Sequence, residues 1–172
     1  MDKSLNTPED LEMKQLIETL CSNNGQERQK ARSALVEKGN KSIDFLMELL
    51  NSPKHIYRWE AIKTIEEINA PQSIPIFLDA LEDEKSDIRW IAAEGLINMG
   101  KLSVKPLLKR LLEKSEVVFV LEGAHHVFID LKKNKMLPDD FPIDKLLFAL
   151  KDTGLEENIK SIAHELLENS KS

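Results

Sequence analysis

The sequence predicts an all-α protein built from repeated helix pairs, and three features of the chain support this prediction. The first is a quartet of apolar residues at offsets 0, +3, +4 and +7, a spacing that places side chains on one face of a helix. The second is an arginine-containing motif that alternates with the quartet, and the third is a set of turn residues between the two. Together they indicate internal repetition of one helical unit.

The apolar quartet occurs five times. Its copies start 30, 31, 30 and 39 residues apart, at Met13, Ile43, Ile74, Val104 and Ile143. Each copy predicts the second helix of a pair, whose apolar face fills the layer between neighbouring pairs.

The second motif lies between successive quartets and has an arginine, a small residue and an aliphatic residue at offsets 0, +3 and +7. Three copies are complete, and a fourth lacks the arginine: Arg28, Ala31, Leu35; Arg58, Ala61, Ile65; Arg89, Ala92, Leu96; Val120, Gly123, Val127. Because a small side chain allows a neighbouring backbone to approach closely, this motif predicts the first helix of each pair.

Turn residues separate the predicted helices. Thr7 and Pro8 are suited to the start of the first helix, as its cap and first residue. Gly39 and Gly100 follow first-helix patterns, where a backbone with positive φ commonly ends a helix. Three serines directly precede quartets and are expected to be N-caps: Ser42, Ser73 and Ser103.

These signals predict about ten helices in a single domain, residues 1–172. Four full helix pairs are expected between two capping helices, since a repeat array needs a covered layer at each end. The pairs span about 26–52, 56–83, 87–113 and 116–151, and the capping helices span 8–21 and 155–169.

The third repeat carries the most specific motif in the chain. An acidic turn is followed by Asp87, a hydrophobe–arginine pair, two alanines, a leucine and Gly100. This pattern resembles the HEAT-like repeat of the phycobilisome-lyase type, and the resemblance extends over about residues 10–167. It implies a right-handed α-solenoid in which first helices lie outside and second helices line a concave face. It specifies the fold and leaves the function open, because adaptors, inhibitors, lyases and a few enzymes share the repeat.

The fourth repeat departs from the pattern in two ways. It lacks the arginine and places Gly123 in mid-helix, and about eight surplus residues precede its quartet. The surplus lies in residues 132–141. We expect a loop on the rim of the solenoid, which is either a recognition element or a solvated loop without a binding role.

Composition limits the function classes. The net charge of −6 argues against general nucleic-acid binding, which needs clustered cations. A lone cysteine, Cys21, indicates a reducing compartment, and the longest apolar run is five residues, too short to span a membrane. We therefore expect a cytoplasmic, bacterial protein that binds neither nucleic acid nor membranes.

The sequence predicts no metal, no cofactor and no catalytic residues. Di-iron relatives of this fold carry His-Glu pairs directly after the first-helix arginine, and the matching positions here hold no histidine, for example Trp59-Glu60. His125 and His126 are adjacent, so their side chains diverge by about 100° on a helix. Cys21 is expected to be a structural thiol.

The concave face is the predicted binding site. Quartet offsets +1, +2, +5 and +6 point away from the layer core, and they carry acids with interleaved apolar residues in the first three second helices, then bases in the fourth. The predicted protein-binding residues are Glu18, Asp44, Phe45, Glu48, Ile76, Asp79, Lys105, Lys109 and Arg110. Charge complementarity favours a partner protein with a basic surface.

The predicted function is therefore a non-enzymatic protein-binding scaffold. A sharper hypothesis is an acidic inhibitor, such as a bacterial immunity protein that neutralises a basic nuclease toxin. The alternatives are a bilin-lyase-like or cofactor-chaperone subunit, which the resemblance suggests, and a HEAT-like DNA-binding protein. Trp59 and Trp90 share one repeat position and form either an aromatic ladder for a partner or part of the packing between first helices.

Overall fold

The computed structural model describes residues 7–137, 141–151 and 156–169, and these residues form helices and turns without any strand. The all-α prediction is confirmed. The α-helices of the described ranges are α1 (Pro8–Leu20), α2 (Gly25–Lys38), α3 (Ile43–Leu50), α4 (His55–Ile68), α5 (Ile74–Ala80), α6 (Ser86–Asn98), α7 (Lys101–Glu113), α8 (Val118–Lys133), α9 (Ile143–Lys151) and α10 (Glu156–Asn169), with 3-10 turns at Gly39–Ser42 and Pro71–Ser73. Within these ranges no helix has the length and apolarity needed to cross a membrane.

The helices fall into two compact units, divided between Ala70 and Pro71. In the first unit α1 packs on α2 and α3 packs on α4, while α2 also packs on α4 and α1 on α3. Each first helix therefore neighbours a first helix, and each second helix neighbours a second helix. This is the contact pattern that stacked helix pairs require.

The second unit begins with the same pattern and ends differently. Helix α5 packs on α6 and α7, and α6 packs on α8. A regular repeat would then place α9 beside α7, but the principal neighbour of α7 at this end is α10. The buried stripe of α10 consists of Ile159, Ala163 and Leu166. The closing helix therefore covers the face of α7.

The apolar quartets form the core as predicted. Phe77 and Leu81 in the third copy, and Leu107 and Leu111 in the fourth, are completely buried. Met47 is an exception, because 48% of its surface is exposed although its quartet position predicts burial. Helix α3 is only two turns long, and its buried stripe runs through Ile43 and Leu46, so Met47 lies on the flank.

The repeated arginine fastens each first helix to the turn before it. The Nη1 atom of Arg28 donates a hydrogen bond to the carbonyl of Ser22 at 3.0 Å, and Arg58 makes the same bond to Ser52 at 2.9 Å. Arg89 donates to the carbonyl of Asp83 at 2.9 Å. These carbonyls belong to the turns just beyond α1, α3 and α5, so the arginine ties the first helix to the preceding turn in each of the three repeats that carry it.

Two helix glycines allow close packing around α5. A Cβ on Gly95 of α6 would lie 2.6 Å from Cζ of Phe77, and a Cβ on Gly123 of α8 would lie 2.7 Å from Cδ2 of Leu81. Both neighbours are buried and cannot swing into solvent. Gly123, which departs from the repeat pattern, is therefore a close contact between helices.

The predicted caps are partly confirmed. Thr7 forms a capping box with Asp10, and both Gly39 and Gly100 have positive φ. Ser42 and Ser73 occupy the predicted N-cap positions of α3 and α5, but neither side chain makes the capping hydrogen bond, and the prediction is wrong for Ser103. The Ser42 hydroxyl donates to the carbonyl of Leu35 at 2.6 Å, and Ser103 lies inside α7, where it donates to the carbonyl of Gly100. Tight turns bring these hydroxyls to carbonyls instead of helical N–H groups.

The surplus segment, 132–141, is a loop only in part. Its first two residues end α8, and Leu137 is buried. The Nζ atom of Lys132 forms an ion pair with Asp144. Residues 138–140 of the segment lie outside the described residues, as does residue 155 at the expected start of the closing helix.

The contact between Gly95 and Phe77 predicts that Gly95→Ala destabilises the protein. Alanine is favoured over glycine in a helix by about 1 kcal/mol, but overpacking against a buried ring costs about 1–3 kcal/mol. We expect a net loss in the free energy of unfolding by urea, and partial recovery in the double variant with Phe77→Leu. Gly25→Ala is the control, because its Cβ would meet Nη2 of Arg28 at an ordinary 3.5 Å. Equal stability of the two alanine variants would contradict this packing.

The arginine–carbonyl contact predicts a second stability loss. Arg58 is only 8% exposed, so Arg58→Met keeps most of the apolar stem and removes the bond to Ser52. We expect a loss of about 1.5–3 kcal/mol in the free energy of unfolding, the range for a hydrogen bond with a charged donor. Lys30→Met, at an exposed position of α2, should change the free energy of unfolding little.

Candidate protein-binding surfaces

We refer to three exposed carboxylates of the first unit, all predicted site residues, as the acidic face. Glu18 lies on α1, Asp44 and Glu48 lie on α3, and these two helices pack together. All three residues are exposed, and none has an ion pair with another described residue. Phe45, predicted to be an exposed anchor, is half-buried. The acidic face therefore presents unneutralised charge with limited apolar surface.

The acidic face differs from the opposite flank of α1. There, Glu12 pairs with Lys38 at 2.6 Å, and Glu9 pairs with Lys41 at 2.7 Å. These two carboxylates have cations from the following elements as partners. Within the described part of the chain the carboxylates of Glu18, Asp44 and Glu48 have no such partner, so their negative charge is not neutralised locally.

The remaining predicted residues lie in the second unit, and two of them neutralise each other. Arg110 pairs with Asp79 and also with Glu82, and its side chain is only 15% exposed. This pair corrects the prediction that Asp79 and Arg110 each offer a free charge to a partner. The spacing of residues within one helix does not show which side chains of α5 and α7 meet. Lys105 and Lys109 are exposed without an ion pair to any described residue, and Ile76 is half-buried.

The two tryptophans at one repeat position have different surroundings. Trp59 is half-buried, with the guanidinium carbon of Arg32 over its ring at 5.8 Å from the centroid. Trp90 is 58% exposed and stacks on the His126 ring, with centroids 4.5 Å apart and planes 28° apart. Trp90 is therefore available to a partner, whereas Trp59 is partly covered by its own unit.

A pocket of about 280 Å³ lies between α6 and α8, and we call it the α6–α8 pocket. Its lining residues have the same 0, +3, +4, +7 spacing on both helices: Ser86, Arg89, Trp90 and Ala93 on α6, with Phe119, Glu122, Gly123 and His126 on α8. Trp90 and Phe119 are its large apolar members, and both are exposed. The pocket combines aromatic surface with one carboxylate, one guanidinium and one imidazole.

Neighbouring side chains hold both aromatic rings in place. The guanidinium carbon of Arg89 lies 3.8 Å from the centroid of Phe119, in a cation–π contact. His126, which stacks on Trp90, is itself held by Glu94, with 3.1 Å between Nε2 and Oε1. Its Nδ1 lies 3.6 Å from Oδ2 of Asp130. The aromatic walls are thus positioned before any partner arrives.

A second pocket, of about 270 Å³, lies between α8 and α9. It is lined by His125, Ile129, Asp144, Leu147, Phe148 and Lys151. The Nε2 atom of His125 is buried and has no hydrogen-bond partner among the described residues. Burial lowers the pKa of His125, and the nearby cation Lys151 and His126 lower it further.

The described part of the chain has no cluster of side chains suited to a metal site, and its cysteine is not activated as a nucleophile. No three His, Cys, Asp or Glu side chains there are arranged to hold a metal ion. Glu60, at the position of the carboxylate in the di-iron pattern, is bound by Arg28 at 2.8 Å and Arg32 at 2.7 Å. Desolvation raises the pKa of the half-buried Cys21 thiol, which opposes formation of a thiolate.

Sequence reasoning missed the α6–α8 pocket, although a signal for it was present. Repeat periodicity pairs Trp90 with Trp59 and does not single out Phe119. A stripe of 0, +3, +4 and +7 that includes an aromatic residue occurs in both first helices. Because such stripes also describe core faces, only the observed exposure of Trp90 and Phe119 distinguishes a pocket from a core.

The lowered pKa of His125 predicts acid sensitivity of the fold. The folded state binds a proton at His125 less readily than the unfolded state does, so this group stabilises the protein above its unfolded pKa of about 6.5. That contribution is lost as the pH falls from this value through the lower pKa of the folded state. We expect a smaller decrease in Tm between about pH 7.5 and about pH 5.5 for His125→Gln than for the natural chain. His164→Gln, at an exposed position of α10, should keep the full decrease.

The chain matches a known protein family. The family model described as HEAT repeats matches residues 13–97 and again residues 43–125, so the matched region spans 13–125 of the 172 residues. The predicted HEAT-like character is confirmed, and the phycobilisome-lyase type remains a prediction. No curated protein sequence has a significant match to the chain.

Proposed function

The chain belongs to the HEAT-repeat family, and we propose that it is a non-catalytic protein-interaction scaffold that binds a partner through its acidic face. The observation that carries this proposal is the set of exposed carboxylates Glu18, Asp44 and Glu48, which have no ion pair within the described ranges. The partner is then a protein with a basic surface. HEAT repeats commonly mediate protein–protein contacts, in agreement with this role.

The charge of the acidic face favours this class of partner. Opposite charges steer two proteins together and accelerate association, and they exclude partners of like charge. The net charge of −6 adds a long-range attraction to cationic surfaces. Such attraction weakens as salt screens it, with a screening length of about 8 Å at physiological ionic strength. Binding through the acidic face should therefore be salt-dependent.

The finer proposal is that binding inhibits the partner. An acidic scaffold that covers a basic surface also blocks whatever anion that surface would bind, such as a nucleic acid. This is the action of a bacterial immunity protein on a basic nuclease toxin, in the cytoplasm. The support is the net charge of −6 and the exposure of the three carboxylates on α1 and α3.

The other roles have less support. A DNA-binding groove needs clustered cations, whereas the acidic face would repel phosphate. No specific contact among the described residues supports a bilin-lyase-like or cofactor-chaperone role.

Charge reversal at the acidic face should abolish binding. We expect Glu18→Lys/Glu48→Lys, immobilised beside the natural chain, to retain none of the basic protein that the natural chain takes from lysate of the source organism. With that protein purified, its Kd should weaken by about tenfold or more, because attraction becomes repulsion at two positions.

The matched control is Glu37→Lys/Glu113→Lys, which makes the same change in net charge at exposed residues of α2 and α7. It should bind like the natural chain, and circular dichroism should show equal helix content in all three proteins. Equal retention by the two double variants would remove the acidic face as the binding site.

A further inference from the structure

We infer that the α6–α8 pocket binds an aromatic or large aliphatic side chain of the partner protein, adjacent to a lysine or arginine. This inference rests on the proposed function, because it takes the partner to be a basic protein. It adds a second contact on a different unit, with an apolar anchor that the acidic face lacks.

The size and lining of the pocket select the anchor. Its volume of about 280 Å³ accommodates one large side chain. Trp90 and Phe119 line it with aromatic surface, and Ala93 and Gly123 contribute little side chain. Aromatic contacts with offset or edge-to-face geometry add to the free energy of area burial. A buried aromatic or aliphatic anchor is also the usual source of affinity in protein interfaces.

The prior positioning of the rings favours binding. Arg89 covers the Phe119 ring at 3.8 Å, and His126 stacks on Trp90 at 4.5 Å. A partner therefore does not need to order these rings on arrival, which lowers the entropic cost of association.

The free charge at the pocket selects the flanking residue. The Arg89 side chain is occupied, since Nη1 donates to the carbonyls of Asp83 at 2.9 Å and Glu84 at 3.3 Å while the guanidinium covers Phe119. Glu122 is exposed and has no ion pair with another described residue. A lysine or arginine beside the anchor would pair with Glu122, whereas an acidic residue would meet repulsion there.

The matching position of the first unit provides an internal control. Trp59 occupies the place of Trp90 in its repeat, but it is half-buried beneath Arg32. A ligand that recognises aromatic surface in general would affect both tryptophans. A ligand of the α6–α8 pocket should affect Trp90 alone.

The test uses the full chain labelled with nitrogen-15, in which the two indole N–H groups each give one NMR signal, assigned with Trp59→Phe and Trp90→Phe. The probe is N-acetyl-phenylalanyl-lysine amide, titrated beside N-acetyl-phenylalanyl-glutamate amide and N-acetyl-glycyl-lysine amide. We expect a saturable shift of the Trp90 signal with the first peptide, an affinity about threefold or more above both others, and no shift of Trp59.

Two substitutions test the parts of the pocket separately. Phe119→Ala should weaken binding of the phenylalanyl-lysine peptide by about tenfold. Glu122→Gln should weaken it by about two- to fivefold and leave the phenylalanyl-glutamate peptide no weaker than before. Glu116→Gln, an exposed glutamate that does not line the pocket, should have no effect. An unchanged Trp59 signal verifies that each variant is folded.

Three results would each overturn the inference: no shift of Trp90, equal shifts at Trp59 and Trp90, or equal affinity for the lysine and glutamate peptides. The variant Glu18→Lys/Glu48→Lys separates this outcome from failure of the proposed function, because it leaves the pocket intact. If only the pocket fails, retention of the basic partner still depends on Glu18 and Glu48. If only the acidic face fails, the Trp90 shifts persist.

Discussion

The second unit depends on the packing of two helices against the side chains at the end of α5. A Cβ on Gly95 would lie only 2.6 Å from Cζ of Phe77, and a Cβ on Gly123 only 2.7 Å from Cδ2 of Leu81. The absence of these two methyl groups lets α6 and α8 approach the same short helix. Since α6 and α8 are also the walls of the α6–α8 pocket, the separation of Trp90 and Phe119 follows from this packing. The packing of buried side chains thereby determines the shape of the α6–α8 pocket.

Electrostatics divides the surface into charges that serve the fold and charges that remain available. Glu60 is held by two arginines, Arg110 links Asp79 to Glu82, and the repeated arginines bind backbone carbonyls. These groups have specific partners within the protein. The acidic face and Glu122 have no such partner among the described residues. The proposed binding uses these charges, which folding leaves unpaired within the described residues.

Periodicity predicted the elements well and the site only in part. The quartets and arginine motifs located the helices to within a few residues, because the period of an amphipathic face reports directly which side is buried. The same logic placed Glu18, Asp44, Glu48, Lys105 and Lys109 on exposed faces. It could not show that Arg110 pairs with Asp79, or that Met47 remains exposed. Those outcomes depend on the neighbouring helix, which local spacing does not describe.

The sequence by itself determined that this chain is a HEAT-repeat protein of paired helices, with a net negative charge and exposed carboxylates on its first two second helices. Its repeat period, small residues and turn signals are local properties of the chain, so they can be read without coordinates. Only the tertiary structure decided that α10 covers α7, that Gly123 is a close contact, and that Trp90 is exposed where Trp59 is not. Each of these depends on residues about 20 or more positions apart, and their approach is set by how whole helices pack.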